Sequence, residues 1–215
     1  MKIADLKIFP VNADVFVQIV TEDGLTGIGD GSLSGRSQAV VGALEHIREY
    51  LIGKDATRIE HIWQDIFRGT FWRGGPVHSS AIAGIDIALW DIQGKALGVP
   101  VYQLLGGALR DRVRCYGKVG GDTPEEAARQ VKAYRDAGWD AVKIGGIGGV
   151  GFESGISDLE REIPRGIERL AAIREAGGDE MWIGIDLHGR LMLSEAVDYC
   201  TRAQPYRPGF VEEPI

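Results

Sequence analysis

"MWIGIDLHGR", residues 181–190, is a short apolar run that delivers an aspartate, then a histidine two residues on, and stops at a glycine. An apolar run of this length, closed by a turn signal, reads as a buried strand of a parallel sheet. Three other stretches share its texture: "VRCYG" (113–117), "DAVKIG" (140–145) and "GFVEEP" (209–214). A helical pattern follows each of the first three runs in chain order. The first helix is marked by Thr123 as N-cap, Pro124 at the first position, Glu126 as the capping-box acid and Gly138 beyond the last turn. The second, around 167–176, ends at Gly177-Gly178, and the third, from Ser194, ends before Pro205. Strand and helix alternating at this spacing predict parallel strands joined by crossovers, in a barrel or an open doubly wound sheet.

Upstream the texture differs. Residues 2–30 alternate and turn, with "VFVQIV" and "TEDGLTGIGD" as strand-like pieces and Asp23-Gly24 as the turn between them, which predicts an antiparallel meander. Residues 37–98 take helical spacing: Leu44, Ile47 and Leu51 make one stripe, and Ile59, Ile62 and Ile66 another. A third helix is expected from about Ser79 to Leu97, stopped by Gly98 and Pro100. The change after "LLGGALRDR" places a domain boundary near residue 110. The chain is thus an α+β domain over 1–110, followed by an α/β domain over 111–215.

The 215 residues carry a net charge of -7, which gives no general attraction for phosphate backbones or anionic lipid, so nucleic-acid and membrane partners are set aside. A small anionic substrate would need a local positive group. The N-terminus has no apolar signal core, and no run is apolar enough to span a bilayer. Cys115 and Cys200 fall in a strand-like and a helix-like segment, which predicts a buried thiol pair in a reducing compartment and a soluble cytoplasmic protein.

Ligands of parallel sheets gather at the carboxyl ends of the strands. Those ends supply Lys143, then Asp186 with His188, then Glu212 with Glu213. Residues two apart on a strand point the same way, about 6.6 Å apart, so Asp186 and His188 can face one cavity. Only one of the adjacent glutamates can join them. Hard carboxylate oxygens from neighbouring strands suit magnesium, whose other positions water and substrate fill. A cation there can stabilise the oxyanion formed when a proton leaves the carbon next to a carboxylate, and an imidazole can protonate a departing hydroxyl. An aspartate closing a strand is also a common turn or cap residue. Glu212 stands 26 residues after Asp186, one β-α unit later; spacing alone leaves a shared site and two separate caps equally open.

"GIDLHGR" (184–190) with "PYRPGFVEEPI" (205–215) resembles the mandelate racemase branch of the enolase superfamily, and within it the acid-sugar dehydratases. "TFWRGGPVHSSAIAGIDIALWDIQGKALGVPVYQLLGG" (70–107) and "GGD" (120–122) resemble the same group, so the likeness covers nearly the whole chain. The resemblance implies an N-terminal capping domain that closes over substrate, followed by a modified TIM barrel with magnesium at its mouth. It makes Asp186 the first metal ligand, Glu212 the second and His188 the general acid. It also implies a sugar-acid substrate and a homo-oligomer. The racemase and lactonizing branches carry Lys-x-Lys where this chain has Lys143-Ile144-Gly145. Loss of the second lysine favours the dehydratases and leaves Lys143 as an electrostatic or substrate-positioning group, or as a solvated lysine. In the family the third ligand and a His-Asp base lie on later strands, whereas Ile215 falls on the fourth barrel strand. The chain is therefore expected to be a fragment or truncated form, inactive alone. The alternatives are a racemase or epimerase of the same superfamily and a non-catalytic relative.

"GIGGVG" (146–151) matches a dinucleotide fingerprint, but acids and another glycine follow it where a helix N-terminus should stand, so it is read as a loop over the barrel mouth. "GDGSLSGRS" (29–37) is by resemblance the mobile capping loop that helps to select substrate, with Arg36 as a group for a carboxylate, while composition alone leaves a plain solvent loop equally open.

Overall fold

The computed structural model describes residues 1–148 and 158–215. They form two compact units, Met1–Asp111 and Arg112–Ile215.

In the first unit β1 (Ile3–Val11), β2 (Asp14–Thr21) and β3 (Thr26–Asp30) pair antiparallel in the order β1-β2-β3. The two turns use residues suited to left-handed backbone, Asn12 at φ 55° and Gly24 at φ 87°. Strand β2 has a strict two-residue period, with Val15, Val17, Ile19 and Thr21 buried. Three helices supply the rest of this core. From α1 (Ser37–Leu51) come Val40, Leu44, Ile47 and Leu51, and from α2 (Ile59–Arg68) come Ile59, Ile62 and Ile66. From α3 (Pro76–Leu97) come Ile82, Ile85, Leu89 and Ile92.

Helix α3 starts at Pro76, three residues before the expected Ser79, because proline at the first position has no N–H to satisfy and the Ser79 N–H already bonds the Gly75 carbonyl at 3.0 Å. It ends as expected, with Gly98 in left-handed conformation at φ 69°. A short helix, α4 (Val101–Leu104), follows Pro100 and was not legible in the sequence. Strand β3 lies directly on α3. A Cβ at Gly27 would stand 2.0 Å from the Ala88 carbonyl oxygen, and one at Gly29 would stand 1.9 Å from that of Gly84. The small residues of "TGIGD" and "AIAGIDIALW" are what let strand and helix backbones touch.

The second unit alternates β4 (Gly117–Val119), α5 (Pro124–Asp136), β5 (Ala141–Gly145), α6 (Leu159–Gly177), β6 (Trp182–Asp186), α7 (Leu193–Ala203) and β7 (Phe210–Glu212). All strand pairs are parallel, in the order β4-β5-β6-β7. Each strand lies beside its sequence neighbour, and the order never reverses, as it would at the switch point of a doubly wound sheet. This is the progression of a TIM-type barrel, of which the described residues contain four strands. The helix caps form as read. Thr123 Oγ1 accepts the Glu126 N–H at 3.2 Å, while Glu126 Oε2 accepts the N–H of Asp122, one residue before the cap. One face of the sheet, with Val142, Ile144, Ile183 and Ile185, packs in a single core with Val131, Leu170, Ile173 and Tyr199 of the helices.

Two expectations change here. "VRCYG" contributes only Gly117 to its strand, because Arg114 and Tyr116 are engaged instead in ring contacts with Trp182. Cys115 is consequently exposed and Cys200 half-buried, so the cysteines are free but not a buried pair. Among the described residues no helix is long and apolar enough to cross a membrane.

Candidate metal and acid–base site

Parallel register sets the site. Gly145, Asp186 and Glu212 stand in one row across β5, β6 and β7, at the carboxyl ends of their strands. Lys143 is two residues below Gly145, on the same face by the strand period. Its Nζ lies 2.8 Å from Asp186 Oδ2 and 2.9 Å from Glu212 Oε2. The two carboxylates from neighbouring strands therefore aim at one point, and spacing alone had left this open. Glu212 joins the row, while Glu213 turns away, exposed, with a left-handed backbone at φ 42°.

His188 reaches the site by a different route from strand alternation. Strand β6 ends at Asp186, whose Oδ1 accepts the His188 N–H at 3.1 Å. His188 and Gly189 are both left-handed, at φ 55° and 60°, so the chain folds back tightly. The turn is tied to the next strand, with Leu187 N–H bonding the Glu212 carbonyl at 3.0 Å and Gly189 N–H that of Glu213 at 2.8 Å. As a result His188 Nε2 stands 3.4 Å from Asp186 Oδ2. Histidine is among the few non-glycine types enriched in this conformation, and such strain gathers at functional sites.

The electrostatics follow from the contacts. Burial pushes the Asp186 carboxyl up, but the Lys143 hydrogen bond, the His188 N–H and the charges of both side chains outweigh it and hold it below the usual carboxylate range. Hydrogen bonds to Asp186 and Glu212 hold the Lys143 ammonium charged beyond the ordinary lysine range, against a smaller opposing effect of burial. Lys143 is thus not the solvated lysine that the sequence left open.

The donor set fits magnesium. Two hard oxygens converge on a point already taken by a positive charge, and magnesium is commonly held by one or two carboxylates with water and substrate completing its shell. Among the described residues no group of three or more His, Cys, Asp or Glu side chains is placed to hold an ion.

Sequence reading missed the supports of this rim. Arg169 donates from NH1 to the Gly121 carbonyl and from NH2 to that of Gly145, both at 3.0 Å, and so ties the loop after β4 to the end of β5. Tyr199 OH donates to the Gly146 carbonyl at 3.2 Å, and Glu162 accepts the Gly148 N–H at 3.1 Å. The only signal was an arginine within the apolar stripe of α6. The loop read over the barrel mouth includes residues 149–151, which lie outside the described residues. Helix α6 begins at Leu159. In the first unit His78 is half-buried, its Nε2 3.2 Å from the Ile66 carbonyl, and Trp72 is exposed.

Glu213 allows a simple check on the strain in this rim. Glu213→Gly is expected to stabilise the second unit by about 0.5–1 kcal/mol, because a left-handed non-glycine residue costs about 1–2 kcal/mol and glycine's extra unfolded-state entropy returns only part of it. Chemical denaturation of both proteins measures the difference, and a loss of stability would count against a strained turn.

Residues 11–106 match the family model described as "Mandelate racemase / muconate lactonizing enzyme, N-terminal domain", and residues 126–215 match "Enolase C-terminal domain-like". The chain is 45% identical over 201 residues to D-galactonate dehydratase of Pectobacterium atrosepticum, covering 94% of this chain and 52% of that protein. It is 44% identical, with the same coverage, to D-galactonate dehydratase of Ralstonia pickettii. The chain thus spans about half the length of the curated relatives it matches. An enolase from Pantoea ananatis, solved with bound D-gluconate and magnesium, superposes at a TM-score of 0.87 with 31% identity, over 100% of this chain and 60% of that one. A member of the enolase superfamily from Salmonella Typhimurium superposes at 0.86 with 29% identity, over 100% of this chain and 61% of that one. With capping and barrel segments both matched in order, the chain belongs to the mandelate racemase and muconate lactonizing enzyme family of the enolase superfamily.

Proposed function

We propose that the protein to which this chain belongs is a magnesium-dependent acid-sugar dehydratase acting on D-galactonate or a close hexonic acid. The carrying observation is the convergence of Asp186, Glu212 and His188 at adjacent strand ends, with Oδ2 and Oε2 aimed at one point and Nε2 beside it. Asp186 and Glu212 would hold the metal, which when bound supplies positive charge to the oxyanion that forms as the α-proton is lost. His188 protonates the 3-hydroxyl of the substrate, whose bond to carbon breaks as water leaves. The resulting enol takes a proton at C3 and becomes a 2-keto-3-deoxy acid. Lys143 supplies the local positive charge that an anionic substrate needs in a protein of net charge -7.

One feature favours loss of water over racemisation. The position on β5 in register with Asp186 is Gly145, so this strand offers no second base beside Lys143. In the test, a panel of hexonic, pentonic and hexaric acids is incubated with the whole protein and magnesium, and keto-acid formation is followed. D-Galactonate is expected to turn over, and chelation of the metal to stop it. No keto acid from any member of the panel defeats the reading; solvent deuterium entering the α-position without loss of water points to a racemase or epimerase instead.

A further inference from the structure

Lys143 raises a question that the proposed function does not answer: its ammonium fills the point at which the two carboxylates aim. Nζ is within 2.9 Å of an oxygen from each, and its side chain is only 20% exposed. The neighbouring position in the row is Gly145, and the residue opposite Lys143 on β6 is Gly184, whose side-chain side is filled by the Phe210 ring, so neither position offers the carboxylates another cation. The approaches differ on the two sides. Lysine comes up from within the sheet, whereas Glu212 and His188 are 42% and 46% exposed and open to solvent. A divalent ion reaching the same two oxygens meets a like charge on the same donors, and each cation weakens the hold of the other. The ammonium also has a second seat, because the face of the Tyr116 ring is centred 5.6 Å from Nζ, within cation–π range.

We propose that Lys143 is the resident cation of this site, and that a divalent metal enters by exchange with its ammonium. While it stays between the carboxylates, Lys143 holds the metal-free site together against the repulsion of Asp186 and Glu212. Displaced by the metal, the ammonium becomes free to meet the carboxylate of an anionic substrate, so metal binds before substrate. The inference rests on the reading of Asp186 and Glu212 as metal ligands.

The test is calorimetric titration of the purified protein with Mg2+ alone, and with Mn2+ alone, for wild type, Lys143→Met and Lys143→Arg. Removing the competing charge is expected to tighten metal binding by about tenfold or more in Lys143→Met, since like charges about 4 Å apart oppose each other by that order. Lys143→Arg keeps the charge and should stay within about threefold of wild type. Magnesium should also raise the melting temperature of Lys143→Met by more than it raises that of wild type. If Lys143→Met does not fold, Lys143→Gln replaces it, with a neutral donor and the same expected tightening. Metal bound by wild type but held equally or more weakly by the uncharged variant overturns the exchange and leaves the metal reading intact. Binding by none of the proteins, or binding unaffected by Glu212→Gln, removes the metal site and the exchange with it.

Discussion

Gly29→Ala is expected to destabilise the first unit by about 3–5 kcal/mol, a large fraction of the roughly 5–15 kcal/mol that holds an ordinary domain folded. The new methyl would stand 1.9 Å from the Gly84 carbonyl oxygen and 2.9 Å from the Ala88 nitrogen, both fixed backbone of α3. Neither atom can turn aside as a flexible side chain would. Strand and helix must separate, and the core between β2 and α3, with Val17 and Ile85 at its centre, loses its packing. Gly42 in α1 is the control, because a Cβ there meets nothing within 4 Å. Gly42→Ala should stabilise by about 0.5–1 kcal/mol through helix propensity alone. Denaturant melts of the three proteins decide the matter, and a loss of under 1 kcal/mol for Gly29→Ala would show that the close approach is not what joins β3 to α3.

His188→Asn is expected to slow loss of water by about 10²–10⁴-fold in the whole protein, the usual contribution of a positioned general acid. Asparagine is chosen because it also tolerates left-handed backbone, so the tight turn after Asp186 and its bonds to β7 should survive. Metal affinity should change little, since the histidine stands beside the carboxylate pair and is not one of the two oxygens aimed at the shared point. Exchange of the α-proton with solvent deuterium should persist in the variant while keto acid fails to form. Undiminished dehydration would remove His188 from the reaction, whereas loss of exchange and dehydration together would make it part of the base or of the binding site.

Much of the architecture could be read locally. Thr123, Pro124 and Glu126 mark a helix start because an N-cap acts within three residues, and Gly98 marks a stop because only its own backbone angle is involved. The stripe Leu44, Ile47 and Leu51 repeats within four turns, and the burial of that face follows it. The start of β4 was misplaced because the rings and charges of "VRCY" are engaged by Trp182, more than sixty residues away in sequence.

The site divides along the same line. The sequence by itself determined that Lys143, Asp186, His188 and Glu212 fall at the ends of successive strands, since an apolar run, its length and its closing glycine are all local. Only the tertiary structure decided that the strands run β4-β5-β6-β7 without reversal, that Asp186 and Glu212 share a row, and that His188 returns through a left-handed turn. Only there, too, does Lys143 meet partners 43 and 69 residues further along the chain. Periodicity and capping act over a few residues, whereas strand order and register arise from packing the whole sheet against its helices, and a site built across three strands inherits its geometry from that packing.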